Sequence, residues 1–128
     1  KMPGEEDRNK QFDEIKLLSQ SQPTIDMVPD PITGIPIETE IPSVPIDVDL
    51  DNHFIEAEVL RTFLISDAGR LMKIQNPQGY LNNLLHFKAH KMEIMKLQMQ
   101  QMAQESNGEG SPEKKPNTPK EKVEENAA

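Results

Sequence analysis

Asp49-Leu50-Asp51-Asn52-His53 and Asn76-Pro77-Gln78-Gly79-Tyr80 are the two start signals that organise this chain. In the first, acidic and amide side chains stand before a periodic run, where they can accept hydrogen bonds from unpaired helical N–H groups. Ile55, Val59, Leu60, Phe63 and Leu64 follow at three- and four-residue spacing, which predicts an amphipathic helix over Asn52 to Ile65. Ser66-Asp67-Ala68-Gly69 interrupts it, with Ser66 suited to cap a short helix reaching about Gln75. In the second signal, an Asn cap precedes Pro at the first helical position, where the missing N–H costs nothing.

From Gly79 no glycine or proline recurs until Gly108, so one long helix of about 27 residues can form, roughly 40 Å at 1.5 Å per residue. Written as heptads, Leu85, Met92 and Met99 share one seam position; Leu81, Lys88, Met95 and Met102 share the other. Phe87, Ile94 and Leu97 widen that stripe, and the Asn52–Ile65 helix is too short to cover its length. The expectation is an oligomer or partner interface at Leu81, Leu85, Met92, Met95, Met99 and Met102.

The flanks read differently. Residues 1–10 are polar and expected to fray, and Phe12, Ile15 and Leu18 mark a short amphipathic helix over Gln11 to Gln20, within a first segment ending at residue 22. Six prolines between Pro23 and Pro45 exclude helix there. The β-branched residues among them suit an extended arm over 23–48, with a turn at Pro31-Ile32-Thr33-Gly34 and an edge strand over Ile35–Ile41. Residues 105–128 are mostly Glu, Lys, Ser, Gly, Pro and Asn with one Val, the composition of a disordered tail. The fold class expected is therefore mainly α: short helices and one long C-terminal helix, between an extended arm and a tail.

Composition limits what the chain can do. Only 34% of residues are apolar and 4% aromatic, so packing should be confined to the helical region, aided by a partner. A net charge of −8 is not that of a general nucleic-acid binder. There is no cysteine for disulfides or thiolate metal sites, and no apolar run of roughly 18–20 residues to span a bilayer. The start at Lys1-Met2-Pro3-Gly4 suggests a piece of a longer protein.

No catalytic constellation is visible, and an enzyme is not expected. His86 and His90, four apart on one helix face with Glu93 beyond, could chelate a metal. They lack a third ligand unless His53 folds over from the earlier helix, so helix–helix hydrogen bonding is the expected role and no cofactor is expected. Asp47, Asp49 and Asp51 imitate part of a calcium loop without its glycine or its bidentate Glu, and read as caps. Four of the seven methionines, Met92, Met95, Met99 and Met102, could offer thioethers to copper(I), but the stripe suits adaptable packing better.

Over Ile41 to His90 the chain resembles the C-terminal part of tailed-bacteriophage portal proteins. The resemblance rests on Ile41-Pro42-Ser43-Val44-Pro45, Asp51-Asn52-His53, Glu58-Val59-Leu60-Arg61-Thr62-Phe63-Leu64, Ser66-Asp67-Ala68-Gly69, and Asn76-Pro77-Gln78-Gly79-Tyr80 before His86 and His90. It departs in placing Ala57 where a second histidine is often found. The resemblance implies a homo-oligomeric ring of about a dozen copies at one capsid vertex, these helices belonging to its crown or barrel side. It implies a conduit for double-stranded DNA in genome packaging and ejection, without sequence-specific binding. Packaging motor, capsid and tail proteins are the implied partners. The implied location is the virion, with assembly in the host cytoplasm and no membrane. A different class is also compatible with the residues: an intracellular adaptor or scaffold that binds a partner through its helical hairpin.

Overall fold

The computed structural model describes residues 2–109. Four helices and one hairpin follow in the order α1 (Glu5–Ser19), β1 (Thr24–Pro29), β2 (Pro36–Ile41), α2 (His53–Ile65), α3 (Asp67–Gln75) and α4 (Pro77–Glu109). The fold is mainly helical, with a long C-terminal helix. Among the described residues no helix is long and apolar enough to cross a membrane.

Two compact units divide the chain, the first running to Ile94 and the second starting at Met95. In the first, α1 begins well before the expected position. Gly4 caps it, and Glu5, Glu6 and Asp7 in its first turn complement the positive end of the helix dipole. The segment expected to fray is therefore largely helical. Tertiary packing stabilises this first turn's continuation, because Gln11, Ile15 and Leu18 are buried.

The 23–48 segment also differs from a plain extended arm. β1 and β2 pair antiparallel, Thr24 opposite Ile41 and Pro29 opposite Pro36. The expected Ile35–Ile41 strand is present as β2, and Thr24–Pro29 is the partner that its residues did not advertise. Both bounding prolines sit at the turn end, where a missing N–H does least harm to the ladder. Asp30 organises the turn, its carbonyl accepting from Gly34 N–H and its carboxylate from Ile32 N–H and Thr33 Oγ1. Ile25, Met27, Ile35 and Ile37 on the hairpin are exposed.

Both start signals act as expected. Asn52 Oδ1 accepts from Ile55 N–H at the head of α2, and Ser66 Oγ accepts from Gly69 N–H at the head of α3. Asn76 Oδ1 accepts from Gly79 N–H, so α4 starts afresh at Pro77 instead of continuing α3. α4 runs on to Glu109, past the point where the tail was expected to begin, since nothing between Gly79 and Gly108 breaks a helix. The rest of the expected tail, 110–128, lies outside the described residues.

Ile15, Val59 and Leu60 form the apolar core, with Phe63 and Phe87 packed against it. The face of α4 buried within the first unit is polar: Asn82, Asn83, His86 and His90 are fully buried at helical spacing. Leu81 and Leu85, expected on the packed seam, are half-buried, and Lys88 is exposed. The heptad stripe is thus not the face on which α4 meets α1 and α2. Hydrogen-bonding demand explains the choice. Asn82 Nδ2 donates to the Leu18 carbonyl and Ser43 Oγ while its Oδ1 accepts from Ser43 N–H, and Asn83 Nδ2 donates to Ser19 Oγ. These asparagines tie α4 to the C-terminal end of α1, Asn82 adding a second donor to the Leu18 carbonyl, which also accepts from Ser21 N–H, and supplying the acceptor for Ser43 N–H.

In the second unit, the described part of α4 carries Met95, Met99 and Met102, more than half exposed, with Leu97 less so.

Candidate functional site

Beside the small apolar core lies a cluster of ionisable side chains, with His53, Glu56, His86 and His90 buried, Glu14 and Asp51 partly buried and Lys10 exposed at its rim. α1 supplies Lys10 and Glu14, the segment before α2 supplies Asp51, α2 supplies His53 and Glu56, and α4 supplies His86 and His90. Periodicity places them: Lys10 and Glu14 are one turn apart, His53 and Glu56 share the inner face of α2, and His86 and His90 are one turn apart on α4.

Lys10 is the hub. Its ammonium lies 2.9 Å from Glu14 Oε2, 2.9 Å from Asp51 Oδ1 and 3.4 Å from Glu56 Oε1. Burial opposes its charge, but the hydrogen bonds to Asp51 and Glu14 prevail and raise its pKa. Burial likewise opposes the charge on Glu14 and Asp51. The His86 and Lys10 contacts of Glu14, and the Asp47 N–H and Lys10 contacts of Asp51, prevail and hold both carboxyls below their usual range. Glu56 goes the other way: burial, then the neighbouring Asp51 carboxylate, pushes it up to about 7.

The imidazoles form a row. His53 and His90 have ring centroids 5.1 Å apart, and His86 meets His90 edge-on at 4.9 Å. His53 Nε2 is 3.0 Å from the Val48 carbonyl and His86 Nδ1 is 2.7 Å from the Val44 carbonyl. A carbonyl only accepts, so each of those nitrogens carries a hydrogen and donates. His86 Nε2 then faces Glu14 Oε1 at 3.3 Å. His53 Nδ1 lies 2.8 Å from His90 Nδ1, and His90 Nε2 lies 3.6 Å from Glu56 Oε1 and 4.0 Å from Asp51 Oδ2. Desolvation, then the adjoining His86 and His53 rings, lowers the His90 pKa to about 4.

Several buried polar atoms lack a well-formed hydrogen bond: both amide atoms of Gln11, Glu14 Oε1, Glu56 Oε2, His86 Nε2 and His90 Nε2. Native interiors leave few such atoms, and each asks for a proton, an ion or a water. Chemically, the arrangement can store and share protons, and it can bind a cation. The nearby hydroxyls of Ser19 and Ser43 are bonded to asparagines.

His90 meets His53 of α2, which folds over to it, while the hydrogen bond of His86 goes to the Val44 carbonyl in the segment before α2 instead of to a helix. Glu93 is half-buried and outside the group of Asp51, His53 and His90 whose ligand atoms converge. The Asp47–Asp51 segment caps itself, Asp47 Oδ1 accepting from Asp49 and Leu50 N–H. Lys10, Glu14 and Glu56 were missed. Glu56 did leave a signal, a charge three residues from His53 and four from Leu60 on the apolar face of α2. Lys10 and Glu14 left none, because their importance depends on α1 meeting α2 and α4. Compared with family models, with curated proteins and with solved structures, the chain matches none.

Proposed function

We propose that this chain is a structural, non-enzymatic part of a self-assembling ring of the tailed-bacteriophage portal kind. In this reading it contributes to the wall of a DNA conduit at a capsid vertex. The observation that carries the proposal is the apolar face of α4. Met92, Met95, Met99 and Met102 are 54%, 52%, 67% and 68% exposed, and such a row suits burial against further copies. The residues behind the resemblance support it as well, because they have connected structural duties. Asn52, Ser66 and Asn76 cap α2, α3 and α4; His53, His86 and His90 join in one buried row. A net charge of −8 suits a wall past which DNA slides, since negative walls do not hold phosphates.

Negative-stain electron microscopy of the chain, at low and at high protein concentration, tests the reading. Closed rings with one fixed copy number support it. Particles no larger than a single chain or a dimer in both preparations overturn it. One feature favours the adaptor reading instead: an open groove of about 370 Å³ lined by Arg8, Phe12, Val59, Thr62 and Phe63, between α1 and α2, which could take an apolar side chain of a partner.

A further inference from the structure

We propose that Asp51, His53 and His90 form a binding site for a divalent transition metal of the zinc class, which clamps α4 to the start of α2. One ligand atom from each of these residues lies within 4.8 Å of the others. The stronger argument comes from hydrogen placement. His53 donates its Nε2–H to the Val48 carbonyl, so its Nδ1 presents a lone pair, aimed at His90 Nδ1 2.8 Å away. Metal-bound histidines commonly donate their second ring N–H to a carbonyl or carboxylate in this way. His90 repeats the pattern, with Nδ1 toward His53 and Nε2 toward the Glu56 carboxyl.

A proton alone serves this geometry poorly. If His90 Nδ1–H donates to His53, His90 Nε2 is left as a buried lone pair 3.6 Å from Glu56 Oε1, too far for a hydrogen bond even from a protonated carboxyl. A metal between the two Nδ1 atoms removes that conflict: each imidazole then keeps its N–H on the Nε2 side, that of His90 facing the Glu56 carboxyl. Two nitrogens on a tetrahedral zinc-class ion stand about 3.3 Å apart, so the rings need to part by only about half an ångström. Asp51 is the third ligand: its Oδ2 lies 4.0 Å from His90 Nε2, so its carboxylate, now held by Lys10 on Oδ1 and the Asp47 N–H on Oδ2, has to swing toward the Nδ1 side to reach the ion.

Charge favours a dication as well. Glu14, Asp51 and Glu56 are gathered around the single ammonium of Lys10, and a divalent ion would cancel the remaining excess. Two imidazoles and a carboxylate select zinc, cobalt or nickel over magnesium or calcium, which prefer all-oxygen shells. The His86–His90 pair by itself offers no third ligand. Here His86 is outside the site, and His53 and Asp51 supply what was missing.

The test uses the untagged chain stripped with EDTA and then titrated with Zn²⁺ or Co²⁺. Expected are one ion per chain by calorimetry, a raised melting temperature, and visible Co²⁺ absorption bands of low-symmetry tetrahedral type. Mg²⁺ and Ca²⁺ in the same range should leave the melting temperature unchanged. On the unsubstituted chain, imidazole ¹⁵N spectra should show the His53 and His90 Nδ1 resonances moving with Zn²⁺ while those of His86 hold still. His53→Ala should weaken binding at least about tenfold, and His86→Gln should leave it within about threefold. No binding to the unsubstituted chain overturns the proposal. So does movement of the His86 resonances without those of His53, which would place the ion on the His86–His90 pair.

Discussion

Single residues carry the specificity of this fold where the chain crosses itself. Gly69 is one of them, because a Cβ there would stand 2.2 Å from the Phe63 carbonyl oxygen and 2.7 Å from that of Leu64. Backbone cannot yield as a side chain can, so Gly69→Ala should destabilise by about 1–3 kcal/mol, read as a lower denaturant midpoint with an unchanged slope. Glu56 makes a second residue-scale test through pH. Its pKa, raised from 4.5 to about 7, means that the folded state binds a proton more tightly, and this contribution is full below about 4.5 and lost as pH rises to 7. His90 is lowered from 6.5 to about 4, so its contribution has the opposite sign: stability rises with pH between 4 and 6.5. In EDTA the two slopes should nearly cancel from pH 4.5 to 6.5. Glu56→Gln removes only the falling one, so the variant's stability should climb with pH across that window. Denaturant melts at half-unit pH steps check this; parallel profiles for variant and parent would count against the assignment.

At the scale of elements, the start of α4 is held from outside as well as by its own cap. Asn76 Oδ1 takes Gly79 N–H while its Nδ2 donates to the Ser19 carbonyl at the end of α1. Asn76→Ala should cost about 1 kcal/mol, chiefly through the lost cap. Asn82→Leu, which fits helical propensity better, should cost more, about 1–3 kcal/mol, because it strands Ser43 N–H and leaves the Leu18 carbonyl only its bond from Ser21 N–H. The helices α2, α3 and α4 were legible from the chain because their caps are local: Asn52, Ser66 and Asn76-Pro77 act on residues three or four away. The length of α1 was not, since its first turns are polar and gain order from α2. Nor was the buried face of α4. Hydrophobic periodicity points to Leu81 and Leu85, and the buried Asn82, Asn83, His86 and His90 make sense only once the groups they meet on α1, on α2 and in the segment before α2 are in place. The same applies to the site: His86 and His90 were evident as a pair, but Lys10, Glu14 and Glu56 join them only through the packing of three helices.

For the whole molecule, the apolar core is small for a chain of 128 residues, and much of its interior is an ionic cluster whose contribution depends on protonation or an ion. Small cores of this kind are commonly completed by association. That makes assembly through the Met92–Met102 face the central claim, and Met95→Glu with Met99→Glu the substitutions that address it. Neither residue belongs to the first unit, so the helical signal and the denaturant midpoint of residues 2–94 should persist. Light scattering on the eluting peak of a size-exclusion column gives the decisive number, the mass of the parent and of the double variant at equal concentration. A multimer is expected for the unsubstituted chain and a mass near 14.5 kDa for the variant. A parent that elutes as a monomer, or a variant whose mass matches a multimeric parent, would contradict it.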